Sequence, residues 1–205
     1  MKRDMLLQML SLIDVIKKYD NIMPSIHLPV QSGSDSILKK MNRHYDRRHY
    51  LDIVKKIRDN IKDIAITTDV IVGFPGETEE DFDETLSLVK EVNYDSVFTF
   101  EYSKRTGTKA AEMDNQVPTS IVKERFARLL KLVEECSGKN TLAYEGRVME
   151  VLVESEDKVM GMLTSRLSNN YLVHFIGDKN LIGKIVNVKL AKSKGFYFEG
   201  ELQNI

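Results

Sequence analysis

IAITTDVIVGFPGE, running from Ile64 to Glu77, is the stretch on which the fold turns. A β-branched run enters a Gly-Phe-Pro-Gly turn, and a helix signal follows at once: Thr78 with Asp81 three residues on resembles a capping box, although Asp is shorter than the usual Glu. That pattern predicts a buried strand ending at a loop, the place where α/β proteins hold ligands. Glycine lets a backbone approach a ligand, and a helix N-terminus offers N–H groups to an acceptor. The same residues also suit a plain tight βα turn. Asp69, inside an otherwise apolar run, is either a structural anchor or a ligand contact, because a buried carboxylate needs a partner.

Working outward, Asp4 to Lys18 predicts an amphipathic helix with Leu6, Met9, Leu10, Ile13 and Ile16 on one face. Ser25 to Leu28 predicts a short strand closed by Pro29, with His27 packed in the core. Gln31-Ser32-Gly33-Ser34 follows, and Ser34 suits a helix cap as well as the cluster suits a ligand. Tyr50, Val54, Ile57 and Ile61 mark another helix, Phe82, Leu86 and Val89 the one after the central strand. Asp95 to Tyr102 predicts a third strand feeding the polar loop Ser103 to Thr108, where Arg105 is either a clamp for an anion or a solvated residue. Pro118-Thr119 opens a long helix with Val122, Phe126, Leu129, Leu130, Val133 and Cys136 inward, stopped by Gly138. Helices alternating with strands imply parallel pairing and right-handed crossovers. Polar clusters at three successive strand ends then converge on one face.

Beyond Gly138 the period changes. Arg147 to Glu154, Met160 to Ser165, Tyr171 to Phe175, Lys184 to Leu190 and Phe196 to Leu202 read as five short strands, enough for a small barrel of the oligonucleotide-binding kind. The expected domains are therefore residues 1–137 and 138–205.

Bulk composition limits the choices. Thirty basic residues against 31 acidic ones give a formal charge of -1, so global charge names no partner. Locally, Lys179, Lys184, Lys189, Lys192 and Lys194 fall in a stretch without an acid, which suits either nucleic acid or a solvated face. Cys136 is the single cysteine, excluding an internal disulfide and a thiolate cluster. No apolar run reaches the roughly 20 residues of a membrane span, and a cytoplasmic protein with no membrane partner is expected.

HLPVQSGS (His27 to Ser34), TTDVIVGFPGET (Thr67 to Thr78) and YSKRTGTKAAEM (Tyr102 to Met113), in that order and spacing, closely resemble the tRNA methylthiotransferases of the MiaB type. These are radical S-adenosylmethionine (SAM) enzymes, and the tail from Gly138 resembles their RNA-binding TRAM domain. The resemblance implies an α/β portion that is the C-terminal half of a radical SAM (βα) partial TIM barrel, three parallel strands with helices, before a five-stranded TRAM or OB-like barrel. It also implies a C-terminal fragment. In that family two 4Fe–4S clusters are held by cysteine sets, and the second cluster cleaves SAM to a radical that leads to 2-methylthio-N6-isopentenyladenosine beside the anticodon. Neither cysteine set is present, so no cluster is expected on this chain and no radical chemistry of its own.

What the resemblance carries over is a cofactor wall for SAM: Gln31, Ser32 and Gly33; Thr68, Asp69, Gly73, Phe74, Pro75, Gly76 and Glu77; and Tyr102 and Arg105. For the tRNA anticodon stem-loop it implies Arg147, Lys158, Arg166, Lys189, Lys192 and Lys194, with Tyr171, Phe196 and Tyr197 available to stack bases. Arg43, Arg47 and Arg48 are further candidates to face tRNA. Rival substrates are threonylcarbamoyl-adenosine in tRNA and an aspartate of a ribosomal protein. A different class is a stand-alone RNA-binding module. An edge exposed at the first strand predicts self-association.

Overall fold

A computed structural model describes residues 11–19, 21–159 and 161–203, and in it the chain forms a three-stranded parallel sheet with helices followed by a closed five-stranded barrel. Leu6, Met9 and Leu10 of the first expected helix lie outside the described residues. Residues 11–18 are helical (α1), with Ile13 and Ile16 buried.

The sheet order is β1 (Ser25–His27), β2 (Ala65–Val72), β3 (Ser96–Glu101). Strand β2 sits in the middle, paired Ile26 to Ile66 on one side and Asp69 to Phe98 on the other. Its pleat explains the sequence. Ile66, Thr68, Val70 and Val72 point into the helical layer and are fully buried, whereas Thr67, Asp69 and Ile71 look out from the other face. The helices are α2 (Asp35–Lys40), α3 (Arg47–Asn60), α4 (Glu79–Val92) and α5 (Thr119–Leu142). Ile57, Phe82, Leu88, Val89 and Leu129 join the buried strand residues in one core, completed by Tyr94, whose hydroxyl donates to that of Tyr50 at 2.9 Å.

Three local expectations change. Helix α5 does not stop at Gly138 but continues to Leu142; an added side chain at Gly138 would meet nothing within 4 Å, so the glycine lies on an open helical surface rather than at a cap. Ser34 occupies the N-cap position of α2 without a side-chain bond to that helix's backbone N–H groups; its hydroxyl donates to Asp81 at 2.5 Å and also meets the Ser36 hydroxyl at 3.2 Å. His27 is not packed in the core. Its side chain is 45% exposed, 3.4 Å from Asp69 and edge-on to Phe98.

The barrel strands are β4 (Val148–Glu156), β5 (Met162–Leu167), β6 (Leu172–Ile176), β7 (Ile185–Ser193) and β8 (Tyr197–Leu202), closed in the order β4-β5-β6-β8-β7. Alternate residues fill the inside, among them Val151, Val153, Leu163, Val173, Phe175, Val188 and Phe198. Closure leaves the barrel no free edge strand.

The two parts meet at a polar seam. Tyr171 donates its hydroxyl to Asp95 at 2.6 Å, and the other oxygen of Asp95 accepts the Ile66 N–H at 2.7 Å. Nearby, Ser193 donates to the Thr141 hydroxyl at 2.6 Å and Asn169 to the Tyr144 hydroxyl at 3.1 Å. Burial pushes the Asp95 carboxyl up from the usual carboxylate range, although its two donors act against that.

Candidate nucleoside cleft and nucleic-acid surface

The site begins with an interruption. Pro29 has no N–H to give the β1–β2 ladder, and Thr68 fills the break: its hydroxyl donates to Leu28 O at 2.8 Å and accepts Val30 N–H at 2.9 Å. Beyond the break the chain rejoins β2 at Gln31, whose N–H donates to Asp69 O at 2.8 Å and whose carbonyl accepts from Ile71 at 2.9 Å. Gln31 takes a φ of 71°, an unusual backbone for a residue with a side chain. Local strain of this kind persists only where surrounding contacts over-determine it.

Gln31, Asp69, Phe74, Tyr102 and Arg105 come together around a cleft of about 500 Å³, with Ile71 and Phe100 completing its floor. The three polar clusters expected at three strand ends thus supply residues to one concavity. Its chemistry is mixed. Phe74 and Tyr102 meet edge to face at 5.4 Å, giving an aromatic wall, while Asp69 contributes an acceptor and Arg105 a cation. The Tyr102 hydroxyl is buried and has no partner among the described residues. An enclosed polar atom of this kind costs free energy until something bonds to it.

The other expected cofactor residues build the wall from behind. Gly33 donates its N–H to the Thr85 hydroxyl at 2.9 Å, and Ser32 lies 3.3 Å from the same oxygen, so both fasten the loop to α4. Thr68 faces the helical layer. Glu77 is buried, accepts Gly73 N–H at 2.8 Å and pairs with Arg125 at 3.0 Å. Burial pushes its carboxyl up, against the Gly73 donation and the Arg125 charge. Lys40 donates to Gly76 O, and Gly76 N–H to Asn115 O, each at 2.8 Å, so the residues that flank Pro75 in the Gly73 to Glu77 turn have partners within the protein. The N-terminus of α4 is closed by the capping box of Thr78 and Asp81, both of whose bonds are present. Although burial works in the opposite direction, donation from Ser34, Ser36 and Thr78 holds the Asp81 carboxyl below its usual range. Arg125, missed by the sequence reading, is 5% exposed and holds Glu77 and Glu79 together. Its only signal was a charge on the inward stripe of a helix.

On the barrel, Arg147 lies over the Tyr144 ring at 4.8 Å and Phe196 is half exposed. Lys194 pairs with Glu199 at 2.8 Å, Lys189 approaches Glu201 at 4.0 Å, and Arg166 is bound to Glu154 at 2.8 Å. Lys158 and Lys192 enter no ion pair among the described residues. Tyr171 is buried with its hydroxyl on Asp95, which puts its ring in the seam and against Phe198. Arg47 does not face outward: it bonds Glu84 O, Ser87 and Glu91 and so joins α3 to α4.

Cys136 is buried on α5, and the described residues bring together no group of three His, Cys, Asp or Glu side chains able to hold a metal. The donor set present therefore does not fit an iron–sulfur cluster, whereas the cleft's mixed lining fits a nucleoside with charged substituents. Among the described residues no helix is long and apolar enough to cross a membrane.

Comparison with known proteins agrees with both halves. The radical SAM superfamily pattern matches residues 4–89, and the TRAM domain pattern matches residues 142–203. The chain is 57% identical over 194 residues to a tRNA-2-methylthio-N(6)-dimethylallyladenosine synthase of Clostridium botulinum (strain Okra / Type B1), covering 92% of this chain and 42% of that relative. Proteins of the same name from Lachnoclostridium phytofermentans and Thermoanaerobacter pseudethanolicus are 53% and 51% identical, over 93% and 95% of this chain and 42% and 41% of theirs. The chain thus spans less than half the length of these curated relatives. Among solved structures, the radical SAM enzyme coproporphyrinogen III oxidase of Escherichia coli superposes with a TM-score of 0.52 at 21% identity, over 62% of this chain and 30% of that one, a likeness of fold.

Proposed function

We propose, because the chain belongs to the MiaB-type radical SAM methylthiotransferases, that it forms the cofactor wall and the RNA-binding barrel of an enzyme that methylthiolates N6-isopentenyladenosine in tRNA. The observation that carries this reading is the convergence of Gln31, Asp69, Phe74, Tyr102 and Arg105 on one cleft, in a chain that continues into a TRAM barrel. The dimethylallyladenosine named in the relatives favours this substrate over threonylcarbamoyl-adenosine.

When bound, SAM supplies the adenosyl and methyl groups of the chemistry. This chain's residues bind and orient it. Phe74 and Tyr102 offer an apolar wall to the adenine, Asp69 accepts from hydroxyl or amino groups, and Arg105 suits a carboxylate. Ser32, Gly33, Thr68, Gly73, Pro75, Gly76 and Glu77 hold these residues in place. No step runs through an iron–sulfur cluster on this chain, whose described residues lack the ligands.

The RNA partner we propose is the anticodon stem-loop, met by Arg147, Lys158, Lys189, Lys192, Lys194 and Phe196, in the cytoplasm. We put the division between the two parts at the end of α5, a few residues beyond the expected 137 to 138. The short strand β1 is an edge of the sheet, and through its unpaired side two copies can associate.

Calorimetric titration with SAM and with an anticodon stem-loop RNA over a salt series tests the reading. Binding of both, with RNA affinity falling as salt rises, is expected. RNA binding without any binding of SAM would instead assign the chain to the stand-alone RNA-binding class.

A further inference from the structure

The sheet face that carries the cleft extends toward the strands' N-terminal ends, where the barrel approaches it. There Thr67 and Phe98 of the sheet meet Arg166, Asn169 and Phe196 of the barrel around a second hollow of about 270 Å³. Phe98 and Phe196, one from each side, line it with half-exposed rings, 51% and 50%. Arg166 is fixed along its edges by Glu154 at 2.8 and 3.1 Å and by Asn170 at 2.8 Å, which sets its plane and leaves its face for stacking. Asn169 is 3% exposed and gives its amino group to Tyr144, while its carbonyl oxygen is enclosed without a partner among the described residues. An acceptor in that condition lacks a donor of about one N–H.

We propose that this hollow is a pocket for one unpaired nucleobase, stacked on Phe98, Phe196 or the Arg166 plane and donating an N–H to Asn169. The inference rests on the RNA reading above and deepens it, by separating the base pocket at the seam from the cleft at the strand ends. The two are joined by one row of side chains. Thr67 stands two residues from Asp69 and four from Ile71 on β2, so the linings of the two hollows lie about 7–13 Å apart along the strand. Roughly two to four stacked nucleotides cover that span at ~3.4 Å each, and fewer do so when unstacked. One RNA loop can therefore reach both.

The test is a set of fluorescence anisotropy titrations with a hairpin RNA and with versions in which each loop nucleotide in turn is made abasic. Phe196→Leu removes an exposed ring and should weaken binding of the intact hairpin about five- to 150-fold, the range of one lost base stack. The slope of affinity against salt should not change, because no phosphate contact is removed. At one abasic position the variant and the parent should bind equally, and Phe98→Leu, from the opposite wall, should lose its effect at the same position. Equal weakening of the intact and every abasic hairpin would overturn the pocket and leave RNA binding standing. Absence of hairpin binding by the parent protein, even at low salt, would overturn the RNA reading and the pocket with it.

Discussion

Two carboxylates pushed up by burial, the enclosed Glu77 and the half-buried Asp95, differ in what stabilises their charge. Glu77 is paired with Arg125, and both side chains are almost wholly enclosed. Arg125→Ala leaves that charge uncompensated and should cost about 3–5 kcal/mol in a urea unfolding titration at neutral pH. A loss within error of zero would mean that the pair contributes nothing. Asp95 is bonded by neutral donors, Tyr171 and the Ile66 N–H among them, and the Arg58 charge acts on it only as a lesser influence. Its carboxyl is raised by burial, so the fold favours the protonated form; its contribution to stability is full below the ordinary aspartate value and is lost as pH rises through the raised one. The Tyr171 donation favours the charged form. Tyr171→Phe should therefore destabilise by about 1.5–3 kcal/mol at neutral pH, and by progressively less as pH falls through the raised value. A loss independent of pH across that window would show that Tyr171 acts by packing alone.

At the scale of elements, the loop after β1 is shaped by its contact with α4. A methyl group at Gly33 would lie 2.5 Å from Glu84 O and 2.6 Å from Thr85 Cα, both backbone atoms that cannot swing aside. Gly33→Ala should lower the thermal midpoint by several degrees, as overpacking of about 1–3 kcal/mol requires, and should disturb Gln31 in the adjacent cleft. An unchanged midpoint would show that α4 yields without cost. This contact also marks where the sequence stopped being legible. Strands β1 to β3, the capping box at Thr78 and the barrel strands all announce themselves through local pattern, period and turn chemistry. The roles of Thr68 and Gly33 do not, because each is set by an element distant in the chain: Thr68 by the break at Pro29, Gly33 by the approach of α4. For the same reason Gln31 and Gly33, neighbours in one motif, separate in space, one into the cleft and one behind it. Ser34 reads locally as a cap, yet a stronger acceptor from another helix takes its hydroxyl.

For the whole molecule, the α/β part and the barrel were readable as two patterns, but their seam was not. Tyr171 reads as a stacking residue on a barrel and is in fact the donor that fastens the barrel to Asp95. The seam gives the account its geometry, because it sets the barrel beside the sheet face that carries the cleft. The edge at β1 adds a prediction at this scale: light scattering should show mass growing with concentration, and a constant monomer mass at high concentration would exclude pairing through that edge. The central claim is that three strand ends form one nucleoside cleft, and the most direct measurement is a titration of isotopically labelled protein with SAM, followed by NMR. Shift changes centred on Gln31, Asp69, Phe74, Tyr102 and Arg105 are predicted. Shifts confined to other surfaces, or none at millimolar SAM, would contradict it.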